Sequence, residues 1–370
     1  MRVLVLSSTF PQFPDDPRGR FILHHWEREA AAGHHVRFLV PDTRWVRDAL
    51  TSPCEVVRFR YAPQGLSSLT GHFGILENIR DQPWRALLVL PFLAGLRRAL
   101  LAELQRFRPD RVVAHMLLPC GLVAALAARA AGLACELHGH GTDVDLVLAL
   151  LAAGRDPEHP LRRRVARTLL TADRLTFPSA EKLARFARAL ELDPVPAHCQ
   201  VETMVSTLEA LATPVALTTP RTRDVLFLGR LIKQKGVDDL LTAAALMPDP
   251  PRLEIAGDGP ERRRLQAMAR AHHLDAHFHG FVHGPQKDAL YRRAALLCVP
   301  SREIGGLGEG APLVIAEARQ YGLRVVATAV GGIPELMRDL YPGAALVRPN
   351  APEALARALE RALEPRLRSA

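Results

Sequence analysis

Residues 225–260 have the sequence VLFLGRLIKQKGVDDLLTAAALMPDPPRLEIAGDGP, and this stretch decides the fold class. A short apolar run at 225–228 is followed by a basic loop, an amphipathic segment at 237–246 and a second apolar run at 253–256. A strand, a helix and a strand in this order pair in parallel through a right-handed crossover. The stretch therefore predicts an α/β domain with a parallel sheet.

The same alternation extends over both halves of the chain. In the second half we predict helices at 261–271, 313–321 and 352–363 and strands at 296–299 and 325–327. In the first half we predict strands at 3–6, 35–40, 111–114 and 133–137 and helices at 21–32 and 121–131. Ligands of open parallel sheets bind beyond the carboxyl ends of the strands. We therefore predict an α/β fold of two Rossmann-like domains that face a central cleft.

The domain boundaries follow from length and from proline content. A chain of 370 residues is too long for one ordinary core. Residues 191–222 contain four prolines and little periodicity, which is typical of a linker. We predict an N-terminal domain at 1–190, an interdomain segment at 191–222 and a C-terminal domain at 223–351. We also expect the helical end, 352–370, to pack back on the first domain.

The formal net charge is +9, which favours anionic partners. Aromatic residues are only 5% of the chain, however, and nucleic-acid surfaces need aromatic side chains for base stacking. The arginine clusters lie in helix-like stretches and are typical of solvated helix faces. We therefore expect no nucleic-acid partner.

The cysteines and the lengths of the apolar runs indicate in which cellular compartment the protein is found. The five cysteines are odd in number and lack metal-ligand spacing, which indicates a reducing cytoplasm. The first apolar run is too short for a signal peptide, and no run is long enough to span a bilayer. Residues 86–96 are apolar with flanking arginines, so they either form a helix packed on a sheet or lie on a membrane surface. We expect a cytoplasmic protein, with peripheral contact at the inner face of the plasma membrane as a further expectation.

Two loops carry the chemistry of the second half. In the loop from Gly229 to Gly236, Arg230 and Lys235 place two cations beside a predicted helix N-terminus, which itself attracts anions. A diphosphate fits this loop, and a basic surface loop is the alternative. Residues 305–318 place Glu309 before a predicted helix and Glu317 on it. Carboxylates accept hydroxyl hydrogen bonds strongly, so the two acids could hold two sugars, and Glu317 in its apolar run needs a partner.

Five motifs in register make residues 225–350 resemble the donor domain of the retaining GT-B glycosyltransferases of family 4. These are the Gly-Arg-Leu…Lys-Gly loop, the Gly-Asp-Gly-Pro turn at 257–260, the Gly-Phe-Val of 280–282, the two glutamates, and residues 326–335. The resemblance implies that Arg230 and Lys235 bind the donor pyrophosphate and that Glu317 holds the ribose. It also implies that Glu309, with the backbone of 310–313, holds the transferred sugar.

The resemblance also assigns roles by position. It implies catalytic roles for His140, Glu309, Arg230 and Lys235. It implies that the donor-binding residues are Gly19, Gly229, Arg230, Lys235, Gly257, Asp258, Phe281, Val282, Glu309, Gly310, Ala311, Pro312, Leu313 and Glu317, with the backbone near Phe281 and Val282 meeting the base.

The first half resembles the acceptor domain of that family more loosely. His140-Gly141-Thr142-Asp143 matches the family's active-site histidine motif, and His138-Gly139 is a second copy two residues earlier. We favour His140 because Thr142 and Asp143 follow it correctly. The chain departs from the family at residues 204–207, Met-Val-Ser-Thr, where the family carries a glycine and an acid. That departure affects interdomain contacts or donor affinity.

The resemblance implies transfer of a hexose-type sugar from a UDP- or GDP-linked donor to an acceptor hydroxyl, with retention of anomeric configuration. It also implies no cofactor, a glycan or lipid-linked acceptor, and a place in polysaccharide or glycolipid biosynthesis of the cell envelope. Because Arg230, Lys235 and helix-terminus amides supply fixed positive charge at the diphosphate, and no suitable loop carries an Asp-x-Asp pair, we expect no metal. Two alternatives stay open at this stage. One is a non-catalytic partner protein that binds a nucleotide sugar, and the other is a nucleotide-sugar epimerase with the GT-B fold.

Overall fold

A computed structural model describes residues 1–14, 16, 18–47, 50–71, 74–152, 160–202, 221–305 and 308–364. The chain divides into two compact units, Met1–Glu202 and Thr203–Ala370. Each unit is built on its own parallel sheet, and each is described separately below.

The sheet of the first unit has seven parallel strands among the described residues, in the order β3-β2-β1-β4-β5-β6-β7. The strands are β1 (Arg2–Ser7), β2 (His35–Pro41), β3 (Glu55–Phe59), β4 (Arg111–His115), β5 (Ala134–His138), β6 (Arg174–Phe177) and β7 (Cys199–Val201). The helices are α1 (Arg20–Ala31), α2 (Ile75–Asp81), α3 (Val89–Phe107), α4 (Leu122–Ala131), α5 (Thr142–Ala152), α6 (Pro160–Leu169) and α7 (Ala180–Ala189).

The sheet of the second unit has six parallel strands in the part of the chain that is described, in the order β10-β9-β8-β11-β12-β13. The strands are β8 (Val225–Leu228), β9 (Leu253–Ala256), β10 (Ala276–Gly280), β11 (Leu296–Val299), β12 (Arg324–Thr328) and β13 (Leu346–Val347). The helices are α8 (Val237–Leu246), α9 (Arg262–Ala271), α10 (Gly284–Arg293), α11 (Leu313–Gln320), α12 (Ile333–Leu340) and α13 (Pro352–Leu363).

The central strands are apolar on both faces because helices cover both sides of each sheet. In β1, Leu4 and Leu6 belong to the core on one face, and Val3 and Val5 belong to the core on the other. Such continuous apolar runs are typical of parallel strands buried on both faces. The five cysteines are buried free thiols within these cores and their edges.

Both strand orders reverse direction beside the first strand of the unit, between β1 and β4 and between β8 and β11. This is the strand order of a doubly wound Rossmann-like sheet, and it confirms the prediction of two such domains. In this topology the ligand site lies beyond the carboxyl ends of the strands that flank the reversal. A ligand site is therefore expected among the residues that follow β1, β4, β8 and β11.

The compact units differ from the predicted domain boundaries at the end of the first unit. The first unit extends to Glu202 instead of residue 190, because β7 pairs with β6 and closes the first sheet. Leu355, Ala356 and Leu359 of the C-terminal helix α13 are buried in the core of the second unit. Residues 365–370 of the predicted C-terminal segment, and most of the predicted interdomain segment, lie outside the described residues.

Candidate functional site

The loop after β8 approaches the end of β11 so closely that one position requires glycine. Gly236 has a φ of 65°, and a Cβ atom there would lie 1.9 Å from the carbonyl oxygen of Pro300. The amide of Arg302 donates a hydrogen bond to the carbonyl of Gln234 at 2.8 Å. These contacts fix the short 3₁₀ turn Lys233–Lys235 against the segment that follows β11.

The glycines of the next loop support the same packing. Gly257 has a φ of 146°, and a Cβ atom there would lie 1.8 Å from the carbonyl oxygen of Gly229. The amide of Leu231 donates to the carbonyl of Asp258 at 2.9 Å. Gly229 and Gly257, predicted as donor contacts, therefore bring two loop backbones together. The Asp258 side chain is exposed and forms an ion pair with Arg262 at 3.2 Å.

Lys235 and Glu309 meet at this edge of the sheet. The Lys235 Nζ lies 2.5 Å from Glu309 Oε1, and the Ser301 hydroxyl donates to the same oxygen at 2.9 Å. Burial favours the neutral acid, but the charge of Lys235, hydrogen bonds from Lys235 and Ser301, and the charge of Arg230 together lower the pKa of Glu309. Three of the predicted site residues, Arg230, Lys235 and Glu309, are therefore brought together, with the acid ionised.

Ser301 was not identified from the sequence, although its position carried a signal. It follows β11 at the carboxyl edge of the sheet and is completely buried. Its carbonyl accepts a hydrogen bond from the hydroxyl of Thr328, which ends β12. Ser301 therefore orients the Glu309 carboxylate from the adjoining strand end.

Glu317 lies on α11 and has two side-chain partners. Lys287 Nζ lies 2.6 Å from Oε1, and the Tyr291 hydroxyl donates to Oε2 at 2.7 Å. Tyr291 is buried and its ring stacks on Tyr321 with the ring centroids 4.9 Å apart. Burial and then the charge of Glu317 raise the pKa of Tyr291, so its hydroxyl stays a donor. The expectation that this acid needs a partner is met by Lys287 and Tyr291, which sequence reasoning missed.

The remaining predicted residues of the second unit take different environments. Gly310 and Pro312 are buried, Pro312 caps α11, and Leu313 is its first residue. Ala311 is half-buried beside them. Val282 is a core residue, whereas Phe281 is 48% exposed. Residues 306 and 307 of the glycine-rich stretch lie outside the described residues.

A second constellation lies at the carboxyl ends of β4 and β5 in the first unit. The indole Nε1 of Trp26 donates to Nε2 of His115 at 2.8 Å, and Nδ1 of His115 lies 2.9 Å from Nε2 of His140. The rings of His115 and His140 are nearly parallel, at 20°, with centroids 5.1 Å apart. Phe21, next to the predicted site residue Gly19, contacts the His140 ring edge-on at 5.3 Å. Gly19 itself adopts a φ of 68° before α1.

The two candidate histidines differ in their partners. Although burial opposes protonation of His138, hydrogen bonds and charge from Glu136 and Glu202 raise its pKa. Its Nδ1 lies 3.3 Å from Glu202 and its Nε2 lies 3.8 Å from Glu136. Burial lowers the pKa of His140 to about 4, with Asp143 opposing and His138 adding to the shift. The two acids thus favour the charged form of His138, whereas burial favours the neutral form of His140.

Asp143 holds the backbone that carries His140. Its carboxylate accepts hydrogen bonds from the amides of His140 and Gly141, both at 2.9 Å, and from the amide of Leu117 at 2.7 Å. This gives a physical reason for the His-Gly-Thr-Asp spacing around His140. The catalytic role of His140 stays a prediction. The altered residues 204–207 lie outside the described residues.

Two family models match most of the chain. The model described as Glycosyl transferase 4-like domain matches residues 19–201, and the model described as Glycosyl transferases group 1 matches residues 215–369. Each match falls mainly within one of the two compact units.

Among curated relatives, the chain is 33% identical over 225 residues to a D-inositol 3-phosphate glycosyltransferase of Mycolicibacterium gilvum, covering 57% of this chain and 49% of the relative. It is 27% identical over 256 residues to the putative teichuronic acid biosynthesis glycosyltransferase TuaC of Bacillus subtilis, covering 68% of this chain and 61% of TuaC. The matching region thus spans about half the length of the inositol-phosphate relative.

Among solved structures, HepE of Anabaena in complex with UDP and glucose is similar, with a TM-score of 0.61, 20% identity, and coverage of 98% of this chain and 90% of that one. An α,α-trehalose-phosphate synthase (UDP-forming) of Burkholderia xenovorans has a TM-score of 0.64, 14% identity, and coverage of 98% and 93%. These likenesses concern the fold, and they bear out the GT-B assignment.

Proposed function

Because the chain belongs to the group 1 glycosyltransferases, we propose that it transfers a hexose-type sugar from a nucleotide diphosphate sugar to an acceptor hydroxyl with retention of configuration. The observation that carries the proposal is the meeting of Lys235, Arg230 and an ionised Glu309 at the carboxyl edge of the second sheet. That edge is where open parallel sheets bind nucleotides.

The two cations suit the leaving group of this reaction. Negative charge grows on the diphosphate as the bond to the sugar breaks, and charges fixed in advance lower the barrier. Lys235 is held by Glu309 before a ligand arrives, and Arg230 lies on the same loop, close enough for its charge to act on Glu309. A diphosphate at this loop would share Lys235 with Glu309. We infer that Lys235 and Arg230 balance the negative charge of the diphosphate without a resident metal.

The two acids suit hydroxyl groups on either side of the diphosphate. Lys235 and Ser301 both contact Oε1 of Glu309, and we assign the Oε2 side of the carboxylate to the hydroxyls of the transferred sugar. Glu317 is held by Lys287 and Tyr291 at the other end of the same segment, in the position we assign to the ribose. Carboxylates accept such hydrogen bonds more strongly than neutral groups do.

The donor base is proposed as uracil, with guanine as the competing choice. The solved HepE structure carries UDP and glucose, which supports a UDP-linked donor for a chain of the same fold. Thermal-shift measurements with UDP, GDP, UDP-hexoses and GDP-hexoses test this choice. Stabilisation by GDP compounds alone would overturn it.

A transfer assay separates the proposed function from its two rivals. The purified chain is incubated with each donor, with and without extracts containing glycan and glycolipid acceptors, and products are analysed for both the donor sugar and the anomeric configuration. Acceptor-dependent product with the donor's configuration supports the transferase. Conversion of the donor sugar without any acceptor would identify an epimerase, and donor binding without product for any acceptor would identify a binding partner.

The acceptor is proposed to be lipid-linked, and a surface of the first unit supports this. Trp84 and Leu87, in the 3₁₀ segment that precedes α3, and Leu90, in the first turn of α3, are 42%, 78% and 76% exposed. The exposed stripe continues along the helix to Arg97 and Arg98. Apolar side chains next to arginines fit the headgroup region of an anionic bilayer. Among the helices of the described residues, none is long and apolar enough to cross a membrane.

Vesicle sedimentation tests this surface. We expect binding to vesicles that contain phosphatidylglycerol and weaker binding to phosphatidylcholine alone. The double variant Leu87→Ser, Leu90→Ser should lose binding, while Leu126→Ser, which changes an exposed leucine on α4, should not. Equal binding by both variants would remove the membrane proposal and leave the transferase proposal intact.

A further inference from the structure

The buried chain Trp26–His115–His140 has a defined direction of hydrogen bonding. An indole N–H is only a donor, so Nε2 of His115, which receives it at 2.8 Å, carries no proton. A neutral imidazole then carries its proton on Nδ1, and this nitrogen lies 2.9 Å from Nε2 of His140. His115 therefore donates to His140, and Nε2 of His140 is an acceptor.

His138, a second neighbour of His115, supports this direction. The two rings are stacked with centroids 5.0 Å apart, and His138 lies between the carboxylates of Glu136 and Glu202. A positive charge on His138 opposes a second positive charge on His115. His115 is also fully buried, which disfavours its charged form. A doubly protonated His115 could not accept the indole proton, so both neighbours require the neutral ring.

We infer that Trp26 and His115 are positioning residues that fix the tautomer of His140, with its proton on Nδ1. The Nδ1–H of His140 is then a hydrogen-bond donor for an oxygen of a bound ligand, while Nε2 is occupied by His115. Without this chain, the His140 ring could carry its proton on either nitrogen and could present an acceptor instead. The inference deepens the proposed function and rests on it for the nature of the ligand, a hydroxyl or phosphate oxygen of a substrate.

Ring-nitrogen protonation is measured directly by long-range proton–nitrogen correlation spectra of protein labelled at histidine, with His140→Gln used to assign the resonances. In the wild-type chain we expect the proton of His140 on Nδ1. In His115→Met, which removes both the donor and the acceptor, we expect both tautomers of His140. In Trp26→Phe, which keeps an aromatic side chain but removes the indole N–H, we expect His115 and His140 to lose their fixed tautomers together.

A conservative variant provides the matched rescue. In His115→Gln the side-chain oxygen can accept from Trp26 and the amide nitrogen can donate to His140, so the Nδ1 proton should be retained. With an active donor, kcat should fall by about tenfold or more in His115→Met and be largely restored in His115→Gln, as for other groups that orient an active-site histidine. KM for the donor should change less than kcat. Unfolding midpoints of all variants report whether they fold.

Each outcome decides a separate statement. A proton on Nε2 of His140 in the wild-type chain, or an unchanged tautomer in both Trp26→Phe and His115→Met, overturns the inference whatever the activity. If His115→Met fails to fold, the wild-type and Trp26→Phe spectra still decide it. If no donor and acceptor pair gives product while the tautomer is as inferred, the proposed function is wrong, but the inference about the Trp26–His115–His140 hydrogen bonds is supported.

Discussion

The ammonium group of Lys235 lies 2.5 Å from a carboxylate oxygen of Glu309, although 74 positions separate the two residues in the chain, about the span of two βα repeats. The contact joins the loop after β8 to the segment after β11, the two strands at which the order of the second sheet reverses. Neither charge is left alone at a largely buried position, where an unpaired charge would be costly. The pair therefore holds a cation in place at the edge where a nucleotide sugar is proposed to bind.

Replacing this cation should weaken donor use strongly. We expect Lys235→Ala to reduce kcat/KM for the donor by about tenfold to a hundredfold, the range for losing a hydrogen bond to a charged group. The matched control is Lys233→Ala, two positions earlier on the same turn, where the side chain is exposed. Full activity in Lys235→Ala, with a normal unfolding midpoint, would discard the phosphate assignment.

The ribose assignment is tested at Glu317. Glu317→Gln keeps the shape of the side chain but removes its charge, so the hydrogen bonds from Lys287 and Tyr291 weaken along with those to a ribose. We expect UDP or GDP to bind about tenfold more weakly by calorimetry. Glu353→Gln, at an exposed position near the start of α13, serves as the surface control. Equal nucleotide affinity in both variants would contradict the assignment.

Three strands of the second sheet were predictable because each is a short apolar run that ends at a glycine or a proline, whereas β10 and β13 were not predicted. Val225–Leu228, Leu253–Ala256 and Leu296–Val299 have the bounds that the sequence predicts. The edge strand Glu55–Phe59 was not predicted, since its middle residues are only half-buried and its pattern is mixed. The strand Cys199–Val201 lies among prolines and was assigned to the linker.

Some residues of the candidate site could likewise be predicted from the sequence and others could not. Arg230, Lys235, Glu309 and Glu317 stand in local motifs, so the sequence could identify them. Contacts between residues that are distant in the chain could not be predicted, because only the folded structure brings them together. Lys287 lies 30 positions from Glu317, and in the first unit Trp26 lies 89 positions from His115. His115, which ends β4, and Lys287, one of four lysines in the chain, stand in no recognisable motif. The sequence alone therefore does not indicate a functional role for either residue.

Acidification should destabilise the fold through His140. Burial lowers its pKa to about 4 from the usual 6.5, so between these values the unfolded chain binds a proton that the folded chain does not. The contribution of His140 to folding stability is therefore lost as the pH falls from 6.5 towards 4. We expect the unfolding midpoint of His140→Gln to decrease less over this interval than that of the wild-type chain.

The opposite sign is expected for His138. Its pKa is raised in the folded chain, against burial, by Glu136 and Glu202. Its stabilising contribution is complete below pH 6.5 and is lost as the pH rises through the folded-state value. As the pH falls towards 6.5, the unfolding midpoint of the wild-type chain should therefore rise through this contribution. The midpoint of His138→Gln should lack this rise. If both variants follow the wild-type pH dependence, the assigned charge states are wrong.

Activity should not depend on an added divalent ion. Arg230 and Lys235 supply positive charge where the diphosphate is proposed to leave, so the barrier can be lowered without a metal ion. We expect unchanged kcat after extended treatment with a chelator and gel filtration. Loss of activity that Mg²⁺ or Mn²⁺ restores would contradict this prediction, and a nonspecific effect of the chelator is excluded by adding its preformed calcium complex as the control.

The close approach of two loop backbones at Gly257 should make this position intolerant of any side chain. A Cβ atom there would lie 1.8 Å from the Gly229 carbonyl oxygen at a φ of 146°, so alanine must displace backbone as well as adopt a strained conformation. We expect Gly257→Ala to lower the free energy of unfolding by about 2 kcal/mol or more. Gly65→Ala is the matched control, because its Cβ atom would meet nothing within 4 Å, and we expect a change within about 0.5 kcal/mol. Equal stability of the two variants would mean that the loops after β8 and β9 do not pack in this way, and the position of Lys235 beside Glu309 would then lose its support.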